Sequence, residues 1–124
     1  MLDARYKELL TAVTSCNNDA IIEVLRCIAD IFPVDNEINV GMELLNEIVT
    51  IINTNNNDLV LDIAFGALEN ISDDAYNSVQ FGQMSGGMVA IFNIIKTSNT
   101  DSVLESACRV LCNVASNRSD KKKY

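Results

Sequence analysis

The chain has 124 residues, of which 48% are apolar and 21% charged, and it carries a formal net charge of −8 with no histidine and no tryptophan. That length fits one ordinary domain, and the apolar fraction is sufficient for a packed core, which excludes a wholly disordered chain. One proline and five glycines, three of them at Gly82, Gly86 and Gly87, suit helices better than a sandwich of short strands. No apolar run approaches the roughly 20 residues needed to span a bilayer, and residues 1–15, with Asp3, Arg5, Lys7 and Glu8, carry no signal-peptide pattern. Four cysteines without a secretory signal point to free thiols in a reducing compartment, so the cytosol or nucleus is the expected location. Residues 1–108 hold 16 of the 17 acids, whereas residues 109–124 hold five of the nine bases against Asp120. An acidic body repels phosphate backbones and favours cationic partners, so no nucleic acid is expected as a ligand. The same acids also serve as solvated helix faces.

In chain order, residues 2–14 place Leu2, Tyr6, Leu9, Leu10 and Val13 on one helical face. Cys16-Asn17-Asn18-Asp19 is a turn with an N-cap signal, and residues 20–32 repeat the helical period through Ile21, Val24, Leu25, Ile28 and Phe32. Pro33 is expected to stop that helix. A short helix follows, then a helix over 40–52. The polar run Asn53–Asn57 ends at Asp58, the expected cap of a helix over 58–72. Asp73-Asp74 break and cap a short helix over 75–84 carrying Val79 and Phe81. Ser85-Gly86-Gly87 opens a helix across 88–96, and Ser98–Asp101 is the turn before a helix over 102–116. Residues 117–124 hold too little apolar surface to pack and are expected to fray. With no convincing period-2 alternation, the chain reads as all-α.

Two of these helices are written from one pattern. Residues 58–71 (DLVLDIAFGALENI) and 101–114 (DSVLESACRVLCNV) align at an offset of 43. They share Asp58/Asp101, Leu61/Leu104, Ala64/Ala107, Leu68/Leu111 and Asn70/Asn113. A weaker copy starts at Asp19, with Leu25 in place of the small alanine and Ile31 in place of the asparagine. The preceding helices correspond too, Met42–Val49 to Met88–Ile95 at an offset of 46. Periods in this range mark solenoids, whose units bury their apolar faces only against neighbours and which present extended surfaces to partners. Ala64 and Ala107 are small where helices cross, and Leu68 and Leu111 are expected to fill the layer between units, each worth about 2 kcal/mol on burial.

Gly86-Gly87-Met88-Val89-Ala90-Ile91 resembles the opening of the second helix of the armadillo repeat. Ala64-x-x-Ala67-Leu68-x-Asn70-Ile71 and Ala107-x-x-Val110-Leu111-x-Asn113-Val114 are similar to the end of its third helix. The resemblance covers 58–116 well and 5–52 loosely. HEAT repeats, with two helices per unit, would not need the segment 75–84 or the Gly86-Gly87 turn. The resemblance implies a right-handed α-solenoid in one domain, 1–117. It would comprise a partial repeat (1–32), two repeats (about 33–72 and 73–116) and a disordered basic tail, 118–124.

It further implies a protein-interaction module or scaffold. Third helices in this family line a concave groove where an asparagine holds an extended peptide, its amide both donating and accepting. Asn70 and Asn113 match that position. The alternative for both is bonding to neighbouring turns, which ties repeats together. The flanking groove candidates are Ile63, Gly66, Asp73 and Asp74 in one repeat and Ser106, Arg109, Ser116 and Asn117 in the next. In the first half they are Val24, Cys27 and Ile31, where the groove is expected to be more apolar. Importin-alpha proteins carry a tryptophan four residues before the asparagine, where this chain has Gly66 and Arg109. A transport adaptor of that kind is therefore the alternative, not the first reading. A structural piece that self-associates through exposed repeat ends, such as the face of residues 2–13, is a further one.

Other constellations read structurally. Cys108 and Cys112 stand at i and i+4 but lack the further ligands of a zinc site, and the expected role is as buried small apolar residues, with no metal and no cofactor. Gly82–Gly87 lacks the Lys-Ser/Thr of a phosphate loop. Lys121–Lys123 reads as a solubilising tail or cut point, with a short import or membrane-surface signal as the alternative. With no histidine base and no sign of a pocketed carboxylate pair, the chain is not expected to be an enzyme. The expected partner is a protein or peptide of basic character, with no membrane and with self-association open.

Overall fold

The computed structural model describes residues 2–34, 41–84 and 86–122, with side chains for 4–31, 41–84 and 86–116. The described residues form helices only: α1 (Leu2–Thr14), α2 (Asn18–Val34), α3 (Met42–Thr54), α4 (Asp58–Ser72), α5 (Ala75–Gln83), α6 (Gly87–Thr97) and α7 (Asp101–Lys122). The short helix expected between α2 and α3 falls on 35–40, outside the described residues. None of the described helices is long and apolar enough to cross a membrane.

Side-chain caps set several boundaries. Asn57, not Asp58, caps α4: its Oδ1 accepts from the Leu59 and Val60 amides at 3.0 and 3.2 Å. Asparagine competes well for this position because its carbonyl reaches the second and third amides of the helix. Asp58 becomes the first helical residue, where its charge suits the positive helix end. Asp74 caps α5 as expected, accepting from the Asn77 amide at 3.0 Å. Two boundaries differ from expectation. Pro33 sits inside the last turn of α2, which runs on to Val34. In α7 the backbone continues through the stretch expected to fray, as far as Lys122. No glycine or proline interrupts 115–122, and lysines favour a helix C-terminus.

The turn between α1 and α2 is closed by two bonds, from the Asn17 amide to the Ala12 carbonyl (3.1 Å) and from the Cys16 amide to the Val13 carbonyl (3.0 Å). This is the paired C-terminal motif that usually holds a glycine in the left-handed region. Here Cys16 occupies it with φ 54°. Cys16 is exposed, so its side chain offers little packing in return. Cys16→Gly is expected to raise stability by about 1 kcal/mol. Urea denaturation checks this, and a loss of stability would contradict it.

The helices pack in two rows. α2 lies against α4 and α4 against α7, while α1 lies against α3 and α3 against α6; the rows meet through α1–α2, α3–α4 and α6–α7. α5 fills the space beside α4, α6 and α7. Between the rows lies the core, where Leu9, Leu25, Ile28, Leu45, Ile48, Phe65, Leu68, Ile71 and Ile91 are completely buried. Ala64 and Ala107 are also at 0% exposure, as helix-crossing residues should be. Leu111 departs from expectation: it is only half-buried where Leu68 is sealed. The cause is positional, since among the described helices α4 has neighbours on both sides in its row and α7 on only one.

Gly87 opens α6 because nothing larger fits. A Cβ there would meet the Phe81 carbonyl oxygen at 3.1 Å and its ring at 3.2 Å, and Phe81 is 1% exposed and cannot yield. On α3, partial burial strips water from the Glu47 carboxyl and raises its pKa above the ordinary 4.5. Ionised Glu47 thus costs the folded state more than the unfolded one. That penalty applies above the folded pKa, fades as pH falls through it, and vanishes below about 4.5, where both states are protonated. Glu47→Gln is expected to raise the melting temperature near pH 7 and to leave it unchanged near pH 3. Equal shifts at both pH values would assign the effect to packing instead.

Candidate partner-binding face

The two repeat-equivalent asparagines do the same thing. Asn70 of α4 donates from Nδ2 to the Ala29 carbonyl of α2 at 3.0 Å. Asn113 of α7 donates from Nδ2 to the Glu69 carbonyl of α4 at 3.2 Å and to the Ser72 hydroxyl at 3.2 Å. Each amide therefore ties its helix to the preceding helix of the row. The Ala29 carbonyl has no i+4 partner of its own, because Pro33 carries no N–H, whereas the Glu69 carbonyl also accepts from the Asp73 amide at 3.2 Å. This geometry matches the tying alternative for both residues. The Oδ1 atoms accept no bond from any described residue, so each amide keeps an acceptor for another molecule.

Around Asn113 the tie becomes a buried polar cluster. Ser78 of α5 donates its hydroxyl to the Asn113 carbonyl at 3.2 Å, and Ser72 donates to the Glu69 carbonyl at 3.2 Å. Ser72 and Ser78 are both 0% exposed. Four residues thus lock α4, α5 and α7 together. Neither serine stands out in sequence, because serine is common at helix ends; only the phased asparagine hints that such a cluster exists.

On the surface, Leu59, Ile63, Gly66 and Asn70 are spaced along α4 by four, three and four residues, which places them on one stripe. Ser102, Ser106, Arg109 and Asn113 form the matching stripe on α7. Ile63, Gly66, Ser106 and both asparagines are half-buried, and Leu59 is 49% exposed. At Gly66 a Cβ would meet nothing within 4 Å, so this glycine leaves a shallow notch in open space. Arg109 is exposed yet engaged, reaching Glu105 at 2.5 Å along α7 and Glu69 at 3.7 Å across to α4. Such exposed pairs are worth about 0.2–1 kcal/mol, so Arg109 can exchange them for a partner's carboxylate at small cost.

The remaining candidates are divided. Asp74 serves α5 as its N-cap, and Asp73 lies exposed where α4 ends, so both belong to the helix junction rather than to the stripe. Asn117 continues the α7 stripe by position, but its side chain lies outside those described. In the first half, the expectation of an apolar groove does not hold. Val24 is 7% exposed and belongs to the core. The depression beside α2 is lined by Asp19, Glu23, Arg26 and Asp30, with Ile22, Cys27 and Leu59. These charges occupy the face of α2 that the core leaves outside.

The cysteines also overturn an expectation. Cys108 and Cys112 are exposed rather than buried, Cys16 is exposed and Cys27 half-buried, and all four thiols are free. The two α7 cysteines lie on a side of α7 that the described residues leave uncovered. Among the described residues no three histidine, cysteine or acidic side chains come together in a way that could hold a metal ion.

Comparisons with protein-family models, with curated proteins and with solved structures found no match to this chain.

Proposed function

We propose that this chain is a protein-interaction module, a short right-handed solenoid of armadillo-like repeats that binds a partner segment across α2, α4 and α7. The observation that carries this reading is the pair of half-exposed stripes at repeat-equivalent positions, Ile63–Gly66–Asn70 and Ser106–Arg109–Asn113. Support for the solenoid comes from the two rows of helices, in which equivalent helices stack on equivalent helices. Apolar Leu59 beside the acids Asp19, Glu23 and Asp30, which outnumber Arg26 there, suits a segment that mixes apolar and basic residues. The Oδ1 atoms of Asn70 and Asn113 would accept from its backbone amides. In this reading the chain is a non-catalytic scaffold of the cytosol or nucleus. The importin-alpha-like adaptor ranks second, because Gly66 and Arg109 offer no aromatic surface.

Gly66→Arg tests the reading cleanly. Its side chain would stand in open space over the stripe, and replacing a mid-helix glycine adds about 0.5–1 kcal/mol of stability. The variant is expected to keep the circular dichroism spectrum of the parent. It should lose the partners recovered by affinity purification and mass spectrometry. Partner recovery equal to that of the parent chain would overturn the groove.

A further inference from the structure

The two repeat junctions differ at the edge where the inter-helix turns lie. At the first, the α3–α4 turn is bonded to the start of α2: Asn55 donates from Nδ2 to Asn18 Oδ1 at 2.9 Å. At the offset of 43 the counterpart of Asn55 is Ser98, in the α6–α7 turn. The Ser98 hydroxyl is engaged within its own turn, where it accepts from the Thr100 amide at 3.2 Å. A cleft of about 390 Å³ stays open between the two turns. Both of its walls belong to described helices and turns, α3–α4 on one side and α6–α7 on the other.

The lining of this cleft is rich in amides. The side chains of Asn53, Asn56, Asn93 and Asn99 are exposed there and make no hydrogen bond to another described residue. Among the described residues that line the cleft, Asp58 is the one carboxylate and none is basic. Leu61 and Ala90, both buried, and half-buried Ile94 form an apolar floor. A carboxamide donates and accepts at once, as a peptide group does, so several of them over an apolar floor match an uncharged stretch of main chain. With no lysine or arginine, the lining offers a phosphate or a carboxylate no counter-charge. The cleft also adjoins the groove. Asp58 lines the cleft, and Leu59, the next residue, lines the acidic depression beside α2.

We propose that the partner segment is bipartite. A stretch carrying basic and apolar residues lies along α2 and α4. The stretch next to it, uncharged and held by its main chain, crosses the first turn of α4 into the cleft between the α3–α4 and α6–α7 turns. This second stretch extends the groove reading, on which it rests, beyond the helices to the turn edge. Asp19, Glu23 and Asp30 receive the basic part. Asn53, Asn56, Asn93 and Asn99 pair with the peptide groups of the uncharged part. Main-chain pairing reads little of side-chain identity, so the first stretch carries the specificity while both contribute affinity. At the first junction the Asn18–Asn55 bond already occupies the equivalent place, which leaves the second junction as the point of entry.

A random-peptide phage library selected on the full chain supplies the probes. Fluorescence polarisation then measures each enriched peptide against the parent chain and two variants. Gly66→Arg reports on the groove, and Asn93→Ala/Asn99→Ala, at exposed positions, reports on the cleft. Both variants should keep the helical spectrum. Enriched peptides should join a basic and apolar stretch to an uncharged one. Gly66→Arg should abolish their binding, and the double alanine variant should weaken it by about fivefold or more. Trimming the uncharged stretch should weaken binding to the parent by a similar factor and leave binding to the double variant unchanged. Peptides that are lost on Gly66→Arg but indifferent to the alanines would overturn the cleft and leave the groove standing. Peptides indifferent to Gly66→Arg, or a selection that enriches none, would overturn the groove and the cleft together.

Discussion

Phe65→Ala is expected to lower the unfolding free energy by about 3–5 kcal/mol, the largest loss of any single change considered for this chain. Phe65 is fully buried at the middle of α4, the helix that packs against α2, α3, α5 and α7. Truncation removes the transfer energy of a ring and leaves a cavity that helices held on several sides cannot collapse into. Against a typical domain stability of about 5–15 kcal/mol, about a fifth or more would be lost. Cys108→Ala, at the equivalent repeat position, is expected to change stability by no more than about 0.5 kcal/mol, because that side chain is exposed. Urea denaturation of both variants makes the comparison. Similar losses at the two sites would contradict the difference in burial that separates them.

Asn113→Ala is expected to cost about 1–3 kcal/mol. It removes two bonds at the α4–α7 contact: one to the Glu69 carbonyl, which keeps the Asp73 amide and the Ser72 hydroxyl as donors, and one to the Ser72 hydroxyl. Asn70→Ala removes a single bond, to Ala29, and is expected to cost about 0.5–1.5 kcal/mol. Asn113→Asp should be at least as harmful as the alanine, since a carboxylate turned toward the Glu69 carbonyl has no proton to donate. A double-mutant cycle between Ser72→Ala and Asn113→Ala should show measurable coupling, and additive losses would deny that the two side chains share one cluster. These tie bonds also decide how partner binding is tested. Weaker binding after asparagine removal would follow from a loosened α4–α7 contact as readily as from a lost peptide contact. Gly66→Arg is the sharper probe because it touches no internal bond.

Local rules were readable where they act within a few residues. The boundaries of α4 follow from a polar run before it and acids after it, and Asp74 announces α5 by capping it. The shift of the α4 cap from Asp58 to Asn57 shows the limit of that reading. Two adjacent residues of similar capping strength differ by one residue of backbone position, which only the folded turn selects. The asparagine pair shows another limit. Its phase is visible in the sequence, but whether an amide turns inward to a carbonyl or outward to a ligand depends on where the preceding helix ends.

The sequence by itself determined that this chain is helical, that one helix pattern recurs, and which apolar positions within it face the core. Those properties come from periodicity and capping, which are written into neighbouring residues. Only the tertiary structure decided that Leu68 is sealed while Leu111 is half-open, and that Phe65 is buried while Cys108 is bare. The repeat writes the same interface on α4 and α7, but burial requires a neighbour on the far side. Among the described helices α4 has one in its row, and α7 does not.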